Sequence, residues 1–226
     1  MEGPEAAAGR QLASKWAKTA ALLKHPRIAP HIPATRLYSK NNLRSMLNAY
    51  RMVVVKPVRG AGGRGVMKVS RIAGGYSYTY YSDIRRFASF ERLAHSLARM
   101  QKGRPYLIQR GIDLARISGR PIDYRVKFVK QGGGWVIRAM VGRLARHGLF
   151  VTNLCRGGSM MTAAQGISRS LSPALVPRKK REMRQLTRIA TSVLESHYPG
   201  IGQLGYDYGL DRRGKIWIFE VNTRPQ

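Results

Sequence analysis

The order of apolar and polar residues divides the chain into two unequal blocks of helices and strands. Over residues 12–23 apolar positions recur at helical spacing until His25 and Pro26 stop them. Residues 30–33, closed by Pro30 and Pro33, read as an extended connector. Residues 39–50 predict a helix capped by Ser39, with Leu43, Met46, Leu47 and Tyr50 on one face. Strands are predicted over 51–56, 66–71 and 76–81. One amphipathic helix is predicted over 83–101, with Ile84, Phe87, Phe90, Leu93, Ala94 and Leu97 turned inward. In the second block, 106–109, 123–131, 135–144 and 149–154 are strand-like, and 178–198 predicts a long helix. A hairpin over 205–222 closes the chain. These elements predict an α+β fold of three parts: an N-terminal segment and connector (1–35), a small lobe (36–108) and a larger antiparallel lobe (109–226).

The terminal hairpin carries the most informative chemistry. A turn over Asp211 to Gly214 sets Asp207 opposite Ile218, with Glu220 two places further along. Strand side chains alternate, so Asp207, Glu220 and Asn222 share one face. Two carboxylates and an amide oxygen suit Mg²⁺, a hard cation that prefers oxygen and usually holds substrate phosphates too. The alternative is that both acids are ordinary strand residues paired with arginines. Acids are scarce in this chain: 41 Lys and Arg stand against 11 Asp and Glu, a net charge of +30. Three of those acids fall in the hairpin, one of them in the otherwise apolar run Ile216 to Val221.

That charge asks for an anionic partner without saying which. With 226 residues and 43% apolar content, the chain has enough material for a real core. No run approaches the roughly 20 apolar residues of a membrane helix. The first 24 residues lack the apolar stretch of a secretory signal. Cys155 is the single cysteine, so no internal disulfide forms, and the expected setting is intracellular and cytoplasmic. The five histidines show no metal-ligand spacing, which argues against zinc.

The run Gly60-Ala61-Gly62-Gly63-Arg64-Gly65 fits GxGxxG formally, but Val66 onward continues as a strand. A dinucleotide site would need a helix there. The run also lacks the GK[ST] ending of a phosphate loop, and Lys56 precedes the glycines, whereas a kinase lysine follows them. A flexible hairpin tip remains, whose backbone N–H groups approach phosphate beside a fixed ammonium. An ordinary glycine turn is the other reading.

Several short motifs in order complete the picture: Lys15-Trp16, Pro33-Ala34-Thr35, Val55-Lys56-Pro57, Gly62-Gly63-Arg64-Gly65 and the run from Leu107 to Ile112. Asp123-Tyr124-Arg125-Val126, Thr152-Asn153-Leu154 with Gly157-Gly158, and Phe219-Glu220-Val221-Asn222 follow. In that order and spacing the sequence resembles the YheC/YheD branch of the ATP-grasp ligases, the endospore coat-associated proteins. The resemblance implies an ATP-grasp fold with nucleotide between two lobes, here a minimal core lacking most of the usual N-terminal domain. It implies that Lys56 meets the nucleotide and that the loop with Gly60, Gly62, Gly63 and Gly65 folds over the phosphates. A hinge at 108–112, including Arg110 and Ile112, would hold adenine, with Gln109 and Asp113 towards purine and ribose. Arg125 and Arg143 would face the transferred phosphoryl group, with Asn153 beside them. Asp207, Glu220 and Asn222 would hold one or two Mg²⁺, with Mn²⁺ able to substitute.

The function so implied is an ATP- and Mg²⁺-dependent carboxylate–amine ligase working through an acyl phosphate. Its acceptor would be an amino acid or peptide, an acidic one if the charge is a guide. A nucleotide-binding module without catalysis, docked among spore-coat proteins, is the alternative. A basic polyanion or nucleic-acid binder is the third, although no nucleic-acid motif accompanies the charge.

Overall fold

Two antiparallel sheets, each with helices on one face, account for most of the chain in this computed structural model, which describes residues 9–152 and 154–225. The first half runs α1 (Lys15–Leu23), β1 (Thr35–Leu37), α2 (Lys40–Tyr50), β2 (Met52–Pro57), β3 (Met67–Ile72), β4 (Gly75–Tyr80), β5 (Asp83–Phe87), α3 (Phe90–Gln101) and β6 (Tyr106–Arg110). The second half runs β7 (Arg116–Ile117), β8 (Arg120–Gln131), β9 (Gly134–Leu144), β10 (Ser159–Thr162), α4 (Ala163–Ser170), α5 (Val176–His197), β11 (Gln203–Leu210) and β12 (Ile216–Asn222). The small sheet has the order β1-β6-β2-β3-β4-β5 and the large one β10-β9-β8-β11-β12, with β7 on β8. No described helix is long and apolar enough to cross a membrane.

Each sheet buries its helix-facing side. In the small sheet Val53, Val55, Met67, Val69, Tyr106 and Ile108 pack on Leu43 and Leu47 of α2 and Leu93 and Leu97 of α3. In the large sheet Tyr124, Val126, Tyr206, Tyr208 and Ile218 pack on Leu22 of α1, Ile167 of α4 and Met183, Ala190 and Leu194 of α5. The two buried phenols find partners on α5: Tyr208 Oη lies 2.8 Å from Thr187 Oγ1 and Tyr206 Oη 2.7 Å from Thr191 Oγ1. Alternation then decides the rest. With Tyr206 and Tyr208 committed to α5, Asp207 between them leaves on the other face.

Four expectations change. The helix expected over 83–101 is a strand and a helix: β5 ends at Phe87, Ser89 caps α3, and Ile84 is exposed. Of the strand expected over 149–154, the described residues 149–152 form none, and Leu154 begins a 3₁₀ turn, Leu154–Arg156. The connector at 30–33 begins inside another 3₁₀ turn, Ala29–His31. In the terminal hairpin, Asp211 holds the turn by accepting from the backbone N–H groups of Arg213 and Lys215, each at 2.9 Å. Beyond it a β-bulge shifts the register, so Tyr208 pairs with Ile218 but Asp207 pairs with Glu220, not Ile218.

The bulge leaves Phe219 unpaired on β12, and its ring lies over Gly209. A Cβ on Gly209 would fall 2.4 Å from Phe219 Cζ and 2.7 Å from Leu114 Cδ2. Gly209→Val is expected to destabilise the protein by about 1–3 kcal/mol through overpacking, measured by denaturant unfolding. An unchanged midpoint would contradict the close approach.

Candidate functional site

The two faces not covered by helices meet at a seam, and three of the chain's eleven acids gather there with a few of its many bases. Lys56 leaves β2 on the uncovered face of the small sheet and is only 7% exposed. Its ammonium donates to Gln109 Oε1 on β6 and to the backbone carbonyl of Phe219 on β12, both at 2.9 Å. The bulge therefore turns a main-chain carbonyl towards the small lobe. Gln109 in turn donates to Thr35 Oγ1 at 3.0 Å, so its side chain braces Lys56. Burial pulls the Lys56 ammonium below its ordinary pKa; Glu220 and Asp207 oppose that fall and Lys15 adds to it.

Across the seam, Arg125 of β8 forks Asp207, with Nε 2.5 Å from Oδ1 and Nη2 3.1 Å from Oδ2. Arg143 of β9 forks Asp123 at 2.8 and 2.6 Å and reaches Asp207 Oδ1 at 2.9 Å. Strand pairing explains the cluster, because Asp207 lies opposite Arg125, and Asp123 lies opposite Arg143. Burial works against the Arg143 charge, but Asp207 and Asp123 more than offset it and hold its pKa above the ordinary value. Burial pushes the Asp123 carboxyl up, against the pull of Arg143.

The N-terminal helix supplies two cations that the sequence reading left without a role. The Lys15 ammonium donates to the Gly60 carbonyl and lies 3.1 Å from Glu220 Oε1. Lys18, 3% exposed, donates to the Leu12 carbonyl. Burial lowers Lys18 to about 8, with Glu220 opposing and Lys15 reinforcing the fall. The signal for these two was their i, i+3 spacing along a face shared with Ala21 and Leu22. Among 41 basic residues it did not stand out. Asp123 was likewise left without a role, although it anchors Arg143.

The structure thus brings together Lys56, Gln109, Arg125, Arg143, Asp207 and Glu220. Asn222 follows two residues after Glu220, opposite Gly205. Asn153 lies outside the described residues. Gly60, Gly62, Gly63 and Gly65 all have positive φ, between 66° and 136°, so the loop needs glycine where it turns. Arg110 and Asp113 sit apart from the cluster. The Arg110 guanidinium lies 5.5 Å from the Trp217 ring centroid, and exposed Asp113 pairs with Arg212 at 2.8 Å. Ile112 is half-buried between them in sequence.

Among the described residues no three His, Cys, Asp or Glu side chains surround one point. The candidate metal set is instead two carboxylates on directly opposed positions and one amide. Such an all-oxygen set fits a hard divalent cation. Both carboxylates are engaged, Asp207 by two arginines and Glu220 by Lys15. An arriving cation must displace some of that charge. The cluster of Lys15, Lys56, Arg125 and Arg143 outnumbers Asp123, Asp207 and Glu220, and the surplus suits a polyanion.

Two measurements check these electrostatics. Arg143→Met should cost about 3–5 kcal/mol by stranding a buried carboxylate, and adding Asp123→Asn should recover part of it in urea unfolding. Lys18 titrates near 8 when folded and near 10.5 when unfolded. Between those values the unfolded chain binds the extra proton, so raising pH from 8 to 10 should stabilise wild type relative to Lys18→Met. A parallel pH dependence in the two proteins would refute that shift.

With this geometry in hand, comparisons place the chain. The family model described as YheC/D-like ATP-grasp matches residues 6–226. The endospore coat-associated protein YheD of Bacillus subtilis (strain 168) is 33% identical over 220 residues, covering 94% of this chain and 48% of YheD. YheC of the same strain is 27% identical over 232 residues, covering 96% of this chain and 61% of YheC. The chain therefore spans about half the length of the curated relatives it matches. The crystal structure of the D-cycloserine synthetase DcsG has a TM-score of 0.62 at 14% identity, covering 95% of this chain and 63% of that one, a likeness of fold alone. A family match running from residue 6 to the last, over two sheets that meet at a lysine-and-carboxylate seam, leaves one assignment: the chain belongs to the YheC/D-like ATP-grasp family.

Proposed function

We propose that the seam binds Mg·ATP and that the protein is a carboxylate–amine ligase, joining an amino acid or peptide through an acyl phosphate. The observation that carries this reading is the pair of opposed carboxylates, Asp207 and Glu220, set among Lys15, Lys56, Arg125 and Arg143. Phosphoryl transfer asks a protein for positioning and charge neutralisation rather than for a nucleophilic side chain. A substrate carboxylate oxygen attacks the γ-phosphorus, and ADP leaves. The acceptor amine then attacks the acyl carbon, inorganic phosphate departs, and the amine gives up a proton. Lys56 and Lys15 would hold the phosphates under the glycine loop, and Arg125 and Arg143 would face the group in transfer. Asn153 stands in this reading as a further contact of that group. Asp207, Glu220 and Asn222 would hold Mg²⁺, which supplies charge neutralisation when bound.

A second reading shares the nucleotide and lacks the turnover. It is favoured by the ion pairs that already occupy both carboxylates, which would suit a module docked among spore-coat proteins, as the description of YheD suggests. Mg²⁺-dependent phosphate release from ATP separates the two, with a pool of amino acids and short acidic peptides supplied as acceptors. The ligase reading expects release that needs the pool and falls about 100-fold or more in Glu220→Gln. Nucleotide binding with no release under any acceptor favours the module, and undiminished release in Glu220→Gln would remove Glu220 from the site.

A further inference from the structure

A cavity of 730 Å³ lies on the side of the small sheet away from Lys56. Lys56 pairs with Leu107, so its side chain and that of neighbouring Tyr106 leave the sheet on opposite faces. Tyr106 lines the cavity with Met67 and Tyr80, whose strands pair there. This space is therefore separate from the interlobe seam.

Its lining is cationic well beyond the average of the chain. Arg64 of the glycine loop, Arg99 and Lys102 at the end of α3, Arg104 and Arg156 contribute five of the eleven lining residues. In the whole sequence 41 of 226 residues are Lys or Arg, so general basicity predicts about two. No lining residue is acidic, and none of the five forms an ion pair among the described residues. Five like charges held around one space repel one another, and an anion placed among them removes that repulsion.

The phenols and one orphaned donor give the wall its order. Arg156 comes from the large lobe, donates to Tyr81 Oη at 2.7 Å, and sits 4.3 Å from that ring's centroid. Among the described residues its Nε is buried without a partner. Tyr80 donates to the same oxygen at 3.2 Å, and Arg104 donates to Tyr106 Oη at 3.4 Å. Tyr81 holds this position with φ 56°, in the two-residue turn between β4 and β5. That conformation favours glycine or asparagine, so a bulky aromatic there is an uncommon choice for such a turn.

We propose that this cavity binds a compact oxyanion carrying three or more negative charges, and that its occupation fixes the glycine loop. The loop forms part of the wall, because Arg64 and Gly65 both line the cavity. A Cβ on Gly65 would fall 2.7 Å from Tyr106 Oη, so the loop backbone rests directly on the cavity's tyrosine. Guanidinium forks accept phosphate and carboxylate oxygens alike, so phosphate and polycarboxylate ligands share the required chemistry. The site needs no nucleotide in the seam.

Calorimetry at low ionic strength with tripolyphosphate and with citrate tests the proposal on the full chain. The double variant Arg99→Ala/Arg104→Ala alters two exposed side chains. It should weaken the cavity's binding step at least tenfold, whereas Lys56→Met should remove only a separate step that belongs to the seam and leave the cavity's step within twofold. Arg184→Ala/Arg188→Ala, which removes the same charge from the exposed face of α5, should also leave it within twofold. If Arg99→Ala/Arg104→Ala folds poorly, exposed Lys102→Glu serves in its place. Preference for one probe identifies phosphate or carboxylate as the ligand's chemistry. Amide exchange over residues 61–66 should slow severalfold at saturation in wild type and stay unchanged in the double variant. Binding lost in Lys56→Met but kept in the cavity variant, equal loss in the α5 control, no binding of either probe, or a loop indifferent to occupancy would each overturn the proposal.

Discussion

One buried ammonium ties the two sheets together. Lys56 rises from the small sheet and donates one hydrogen bond within its own lobe, to Gln109 Oε1, and another to the large lobe, at the Phe219 carbonyl. That carbonyl is available because a bulge interrupts the final hairpin, and the bulge fits because Gly209 leaves room for the Phe219 ring. A buried ammonium with two neutral acceptors is only partly compensated for lost water. The nearest acids are already shared with other cations. The resting seam is therefore an incomplete electrostatic arrangement, and an anion of several charges is the simplest completion.

The charge excess acquires meaning from that arrangement. Most of the 41 bases coat the surface, as a chain of net charge +30 requires. A minority are buried in ordered ion pairs, each joining an acid to a base on another element. Asp207 draws β8 and β9 onto one point, and Glu220 draws α1 to β12. Buried pairs of this kind constrain geometry more than they add stability, and their expense makes sense where geometry is the product.

Local chemistry was the part legible in the sequence. Ser39 caps α2 as its side chain allows, and the Asp211 turn forms where polar residues interrupt two apolar runs. The hairpin acids were visible because Asp and Glu are rare, and Lys56 because it precedes a glycine run within an ordered set of short motifs that is specific only as a combination. What stayed hidden was non-local. The bulge depends on how a ring meets a glycine across the hairpin, which no one-strand pattern contains. Ile84 and Phe87 fall at spacings that suit either a helix or the edge strand they occupy, and Ser89 was the overlooked cap. Lys15 and Lys18 occupy what looks like an apolar stripe, and their burial depends on contacts distant in sequence, among them Glu220 of β12 and Gly60 of the glycine loop for Lys15.

The helix that carries Lys15 packs on the large lobe, yet it grips the small one. Its backbone N–H donates to the Val58 carbonyl at 2.9 Å, and its ammonium holds both Gly60 and Glu220. The residue is a shared bearing. Whatever competes for Glu220 takes that carboxylate from the Lys15 ammonium and leaves its bond to the Gly60 carbonyl in the glycine loop. A cation held at Glu220 would thereby meet the glycine loop through one side chain, the Lys15 ammonium that both share.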